Sequence, residues 1–191
     1  METFDFNAAP EQRDVIPKGE IVVAQLRIKP GNAGKDGLLT RSQKGDCEGL
    51  NCELTVDEGK YAKRKLFVWL LLFGTTSNQK DMAHSNIGTL RAIIESAHGI
   101  KRANESEAAK KTRASFSDLH NFDGIRFLMK VGVEEAKDSY PAKNTIGRVI
   151  TPDDGKEWRP IQQVEQPLMH AVPVDPKAVI IPRPAWGQPQ Q

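Results

Sequence analysis

The sequence predicts a mainly β fold: a five-stranded Greek-key barrel with one helix between the third and fourth strands, followed by an extended proline-rich tail. Three observations lead there. Five segments combine β-branched or aromatic residues with apolar/polar alternation, the period of a half-buried strand. One segment between the third and fourth of these changes to the three-or-four-residue period of an amphipathic helix. Beyond residue 151 prolines recur too often for regular sheet or helix.

Residues 1–17 read as an acidic arm ending at Ile16-Pro17, residues 18–151 as the barrel domain and residues 152–191 as the tail, extended or disordered. The first strand is expected over Glu20–Lys29, with Val22, Ala24, Leu26 and Ile28 inward and Gln25, Arg27 and Lys29 outward. A Gly/Asn/Asp-rich loop follows at 30–37. The second strand, Gly49–Asp57, puts Leu50, Cys52, Leu54 and Val56 inward. A short turn at Asp57-Glu58-Gly59-Lys60 predicts an antiparallel hairpin to the third strand, Tyr61–Phe73. One parity of that strand is mostly aliphatic (Arg64, Leu66, Val68, Leu70, Leu72); the other runs from cations into aromatics (Tyr61, Lys63, Lys65, Phe67, Trp69, Leu71, Phe73).

After the polar break at 74–81, Ile87, Leu90, Ile94 and Ala97 predict a helix over Ser85–His98 with Gly99 as its C-terminal cap. Residues 101–115 have helix-forming composition without an apolar face, so a solvated helix and a disordered insertion both fit. The fourth strand is expected at Ile125–Val133 and the fifth at Asn144–Ile150, joined by a polar turn that contains Tyr140. This order of elements matches a barrel of the oligonucleotide-binding kind (OB-fold), whose helix plugs one end.

Total charge identifies no partner: 27 Lys+Arg against 25 Asp+Glu leave +2. Its distribution is more informative. The arm is −3, residues 18–155 are +4 and residues 156–191 are +1. Outward parity collects Arg27, Lys29, Lys63, Lys65, Arg126 and Lys130 as candidates for phosphates, and Tyr61, Phe67 and Trp69 as candidates for stacking on bases. Tyr140 joins them because its loop flanks the groove in such barrels. Each has a plainer reading: Phe67 and Trp69 could pack under the helix or in a dimer interface, and Tyr140-Pro141 is ordinary turn chemistry. The Lys101-Arg102 and Lys110-Lys111-x-Arg113 clusters, interleaved with Glu105 and Glu107, read as a solvated helix face.

Cys47 and Cys52 cannot build a disulfide framework or a zinc site by themselves, and the four histidines lack metal-ligand spacing. No P-loop, HExxH, GxSxG or dinucleotide fingerprint occurs, so neither a catalytic residue nor a cofactor is expected. The longest apolar run, Leu66–Phe73, is too short to span a membrane, and the acidic N-terminus is unlike a signal peptide. A cytoplasmic protein is expected.

Short motifs carry a resemblance. Phe4-Asp5-Phe6-Asn7-x-Ala9, Ile16-Pro17-x-Gly19-Glu20, Glu58-Gly59-x-Tyr61-Ala62-x-Arg64-Lys65-Leu66-Phe67, Leu90-Arg91-x-Ile93, Ala97-x-Gly99-Ile100 and Lys143-Asn144-x-Ile146 occur in this order over residues 4–150. In them the chain resembles phage-encoded OB-fold proteins of replication and recombination gene clusters, described as single-stranded DNA-binding proteins. The resemblance implies a non-enzymatic binder of single-stranded DNA, with RNA as the open alternative, working in the host cytoplasm. Two departures stand out. Lys63 replaces the small residue that commonly follows Tyr-Ala in those proteins, and the tail lacks an acidic, aromatic-ending recruitment peptide. The alternative function is an OB-fold adaptor or oligomerising accessory protein of a phage replication or recombination complex. In that reading the Phe67/Trp69 face and the apolar segment 178–186 join copies of the chain or bind replication and recombination proteins.

Overall fold

The computed structural model describes residues 15–137 and 140–163. Six strands form one antiparallel sheet: β1 (Ile21–Ile28), β2 (Leu39–Arg41), β3 (Cys47–Val56), β4 (Lys65–Gly74), β5 (Arg126–Glu134) and β6 (Lys143–Ile150). The long helix α1 (Ser77–His98) and the shorter α2 (Glu107–Ser115) lie between β4 and β5. β3 is flanked by β4 along one edge; its other edge pairs with β2 at its start and with β1 toward its end. β1 continues to β5, and β5 to β6. The main order is therefore β4-β3-β1-β5-β6, with no ladder between β4 and β6. Where a closed five-stranded barrel was expected, the sheet is open and six-stranded. The added strand, β2, is three residues long, too short for alternation to reveal.

Burial follows the expected inward parity. Val22, Ala24, Leu26 and Ile28 of β1, Leu50, Cys52, Leu54 and Val56 of β3, Leu66, Leu70 and Leu72 of β4, and Phe127, Met129 and Val131 of β5 form one core. Burial pushes the Cys52 thiol up to about 12, as a thiolate inside this apolar layer would be poorly solvated. α1 covers the core with Leu90, Ile93, Ile94 and Ala97.

α1 begins eight residues before the expected Ser85. A capping box explains the extension: the Thr76 hydroxyl accepts from the Gln79 N–H at 3.3 Å while the Gln79 side chain accepts from the Thr76 N–H at 3.0 Å. The Gln79 amide also donates to Asp46 at 2.9 Å, and the Ser42 hydroxyl donates to it at 2.6 Å. These two bonds hold the Asp46 carboxyl down at about 2. At the other end Gly99 has φ 66°, the left-handed cap that favours glycine.

α2 resolves the two readings of residues 101–115 in favour of a helix, and a buried acid secures it. Glu95, 1% exposed on α1, pairs with Arg91 at 2.8 Å and with Arg113 of α2 at 3.1 Å. Arg113 also donates to the carbonyls of Asn104 and Lys101, closing the connection between the helices.

The sheet's outer surface has a second, smaller core. Val23, Leu128 and Ile150 are covered by Trp158 and Ile161. A 3₁₀ segment at Pro152–Glu157 leads into this cover, and the Trp158 indole N–H donates to the Ser96 carbonyl at 3.1 Å. Gln163 clasps the Arg126 backbone at both N–H and C=O. Residues 152–163, placed in the tail by composition, thus pack on the sheet; residues 164–191 lie outside the described residues.

Candidate functional site

The outer face of β1, β3 and β4 carries the densest convergence of expected site residues. Register sets it: Arg27 of β1 lies opposite Glu53 of β3, which lies opposite Phe67 of β4. One row along, Gln25 opposes Thr55 and Thr55 opposes Lys65; on the other side Asn51 opposes Trp69, while the Lys29 N–H donates to the Asn51 carbonyl at 2.8 Å. Alternation sends Leu66 and Leu70 into the core and leaves Phe67 and Trp69 outside, 57% and 41% exposed. Rings of that size are seldom left so open without a partner.

A cation lies against one of the rings. The Lys29 ammonium lies over the Phe67 ring, 4.8 Å from its centroid. Lys65 pairs with Glu53 at 2.6 Å and Lys29 with the other carboxylate oxygen at 3.7 Å. The bond from Lys65 and the two positive charges hold the Glu53 carboxyl below the usual carboxylate range, against the opposing effect of burial. Both lysines remain about half exposed. The face therefore offers two flat apolar surfaces flanked by mobile-headed cations, the pairing that stacked bases and their phosphates require.

Phe67 and Trp69 also line a cleft of about 1130 Å³ between β4 and β6, beneath α1. Met82, Asn86 and Thr89 of α1 and Lys143, Thr145 and Arg148 of β6 form its other walls. The β5–β6 connection ends beside it, since Glu134 and Lys143 both line the cleft. Tyr140, in that connection, is 76% exposed.

Other expected residues are placed elsewhere. β4 starts at Lys65 and not at Tyr61, so Tyr61 and Lys63 lie in the turn before it. Tyr61 is half-buried and packs against the core, with Lys60 5.2 Å from its ring centroid. Lys63 adopts φ 67° and points out of a tight turn rather than along the strand. Arg126 and Lys130 have the outward parity expected of them, but the 152–163 segment covers that part of the sheet. Arg126 binds Asp57 at 2.6 Å and the Gln162 carbonyl; Lys130 binds Glu157 at 2.6 Å. Lys130 and Arg148 hold the Glu157 carboxyl below its usual range. These cations fasten the chain's own C-terminal segment.

Alternation puts Asn51 and Glu53 on the outward parity of β3, as observed, but did not single them out as site residues between the chosen residues of β1 and β4. Their signal was the register itself, which requires knowing that β3 lies between the other two. Phe73, 59% exposed, follows a register shift at Glu48/Gly49, beyond which alternation no longer assigns the same face. Among the described residues no three His, Cys, Asp or Glu side chains converge to hold a metal ion, and no helix is long and apolar enough to cross a membrane. No protein-family model and no curated protein matches the chain.

Proposed function

We propose that this chain is a non-enzymatic, phage- or prophage-type single-stranded DNA-binding protein, acting in DNA replication or recombination in the host cytoplasm. The strand lies across the outer face of β1, β3 and β4. The observation that carries this reading is the pair of exposed rings, Phe67 and Trp69, on neighbouring outward positions of β4 with Lys29 and Lys65 beside them. Stacking on such rings contributes ~1–3 kcal/mol per base and tolerates any sequence. Arg27, Lys29 and Lys65 then neutralise phosphates.

The strand order supports reading the sheet as an OB-like five-stranded Greek-key barrel parted between β4 and β6, with β2 added at one end of β3. In that fold the groove crosses this face, and the loop bearing Tyr140 flanks it. The cleft between β4 and β6 gives a strand passing over Trp69 a polar wall in Thr145.

Titration of intrinsic tryptophan fluorescence with a poly-thymidine oligonucleotide tests the reading. Quenching or a spectral shift at low salt, diminishing as salt rises, is expected. No change at low salt overturns it. A parallel series with duplex DNA and RNA sets the substrate class.

A second reading makes the same face a protein-docking surface of a replication or recombination adaptor. Met82 favours it: 55% exposed, it joins Phe67 and Trp69 in lining the cleft. Lys29→Gln/Lys65→Gln separates the two, since unchanged nucleic-acid retention in that variant selects the adaptor.

A further inference from the structure

At the centre of a face that must attract phosphates sits an acid. Glu53 has only 11% of its side chain exposed, and it lies between Arg27 in register on β1 and Phe67 in register on β4. Its two oxygens are taken from different sides: Oε1 by Lys65 of β4 at 2.6 Å, Oε2 by Lys29, the residue after β1, at 3.7 Å. Lys29 additionally covers Phe67. A base stacking on Phe67 must move Lys29 aside, and a phosphate beside that base must compete with a carboxylate already seated between the cations. The lysine heads are about half-exposed and can reach a phosphate, whereas the Glu53 carboxylate is nearly buried, so a strand that takes the lysines leaves that carboxylate short of its counter-charges at a cost to binding.

We propose that Glu53 is an exchangeable phosphate surrogate: it occupies the lysines of the empty groove, is displaced by the backbone of a single strand, and thereby sets the affinity below what the groove's cations alone would give. This rests on the single-strand-binding reading of the same face. Two consequences are physical. In the complex the phosphates that take Lys29 and Lys65 release condensed counterions, but the Glu53 carboxylate left behind attracts cations in return, so the net release on their account is small. In the complex the Glu53 charge stays near the phosphates and speeds departure of the strand.

Glu53→Gln keeps the side chain's size and removes the charge. Measured by fluorescence anisotropy with a thymidine oligonucleotide, it binds about three- to tenfold more tightly at low salt, the scale of one like charge removed from a solvated contact. Its plot of log affinity against log salt is steeper by about 0.7 for each lysine set free. A double-mutant cycle guards against an effect of folding alone: Lys65→Gln costs more affinity in the Glu53→Gln background than in the natural one, because only there is Lys65 fully available. Equal or weaker binding by Glu53→Gln with an unchanged slope, while the natural protein binds, overturns this inference alone. Absence of binding by both proteins at the lowest salt removes the single-strand reading itself.

Discussion

Lys63 has φ 67°, a conformation in which an L side chain crowds its own carbonyl and glycine does not. Its N–H still donates to the Val56 carbonyl at 2.7 Å, so the turn between β3 and β4 requires the strain. Lys63→Gly is expected to raise stability by about 0.5–1 kcal/mol in urea unfolding, partly offset by the greater freedom of glycine in the unfolded chain. A loss of stability would mean that the Lys63 side chain makes a contact worth more than the strain. At this scale the site was partly legible. Alternation found Arg27, Lys29, Lys65, Phe67 and Trp69, because parity is a property of each strand alone. It misplaced Tyr61 and Lys63, where the strand had not yet begun. For Arg126 and Lys130 it gave the right side of the sheet, but no local pattern announces that residues 37 positions later will cover it.

The elements show what period can and cannot disclose. β1, β3 and β5 start and end within about two residues of their expected bounds, since the inward parity of each is buried; β6 does so too, although it gives the main core only Val149, with Ile146 partly buried against it. The first turn of α1 is polar and mostly exposed, and of the second only Ala83 is buried, so apolar spacing gave no hint of them. The signal was local: Thr76 and Gln79, three apart, form the capping box. β2 escaped because three residues carry no period. α2 depends less on its own composition than on Arg113, which ties it to Glu95 and to three loop carbonyls. Arg113→Ala leaves a nearly fully buried carboxylate with Arg91 as its remaining cation in this network. The expected cost is about 2–4 kcal/mol, with amide exchange accelerated over residues 101–115. Exchange there matching the natural protein would mean that the helix is held by packing instead.

Over the whole molecule, charge is sorted by role and not by total. On one part of the outer sheet cations bind acids of the chain's own C-terminal segment: Lys130 and Arg148 with Glu157, and Arg148 also with Asp154. On the other part Lys29 lies over the open Phe67 ring and, with Lys65, shares Glu53. A net charge of +2 conceals this division, which only the three-dimensional path of residues 152–163 makes visible. The central claim is that Phe67 and Trp69 are stacking platforms for single-stranded DNA. The most direct measurement is anisotropy titration of a labelled thymidine oligonucleotide with the natural protein and with Phe67→Ala/Trp69→Ala, after circular dichroism has shown both folded. Loss of two stacked bases predicts affinity at least about 30-fold weaker, from ~1–3 kcal/mol each. Binding by the double variant equal to that of the natural protein would contradict the account.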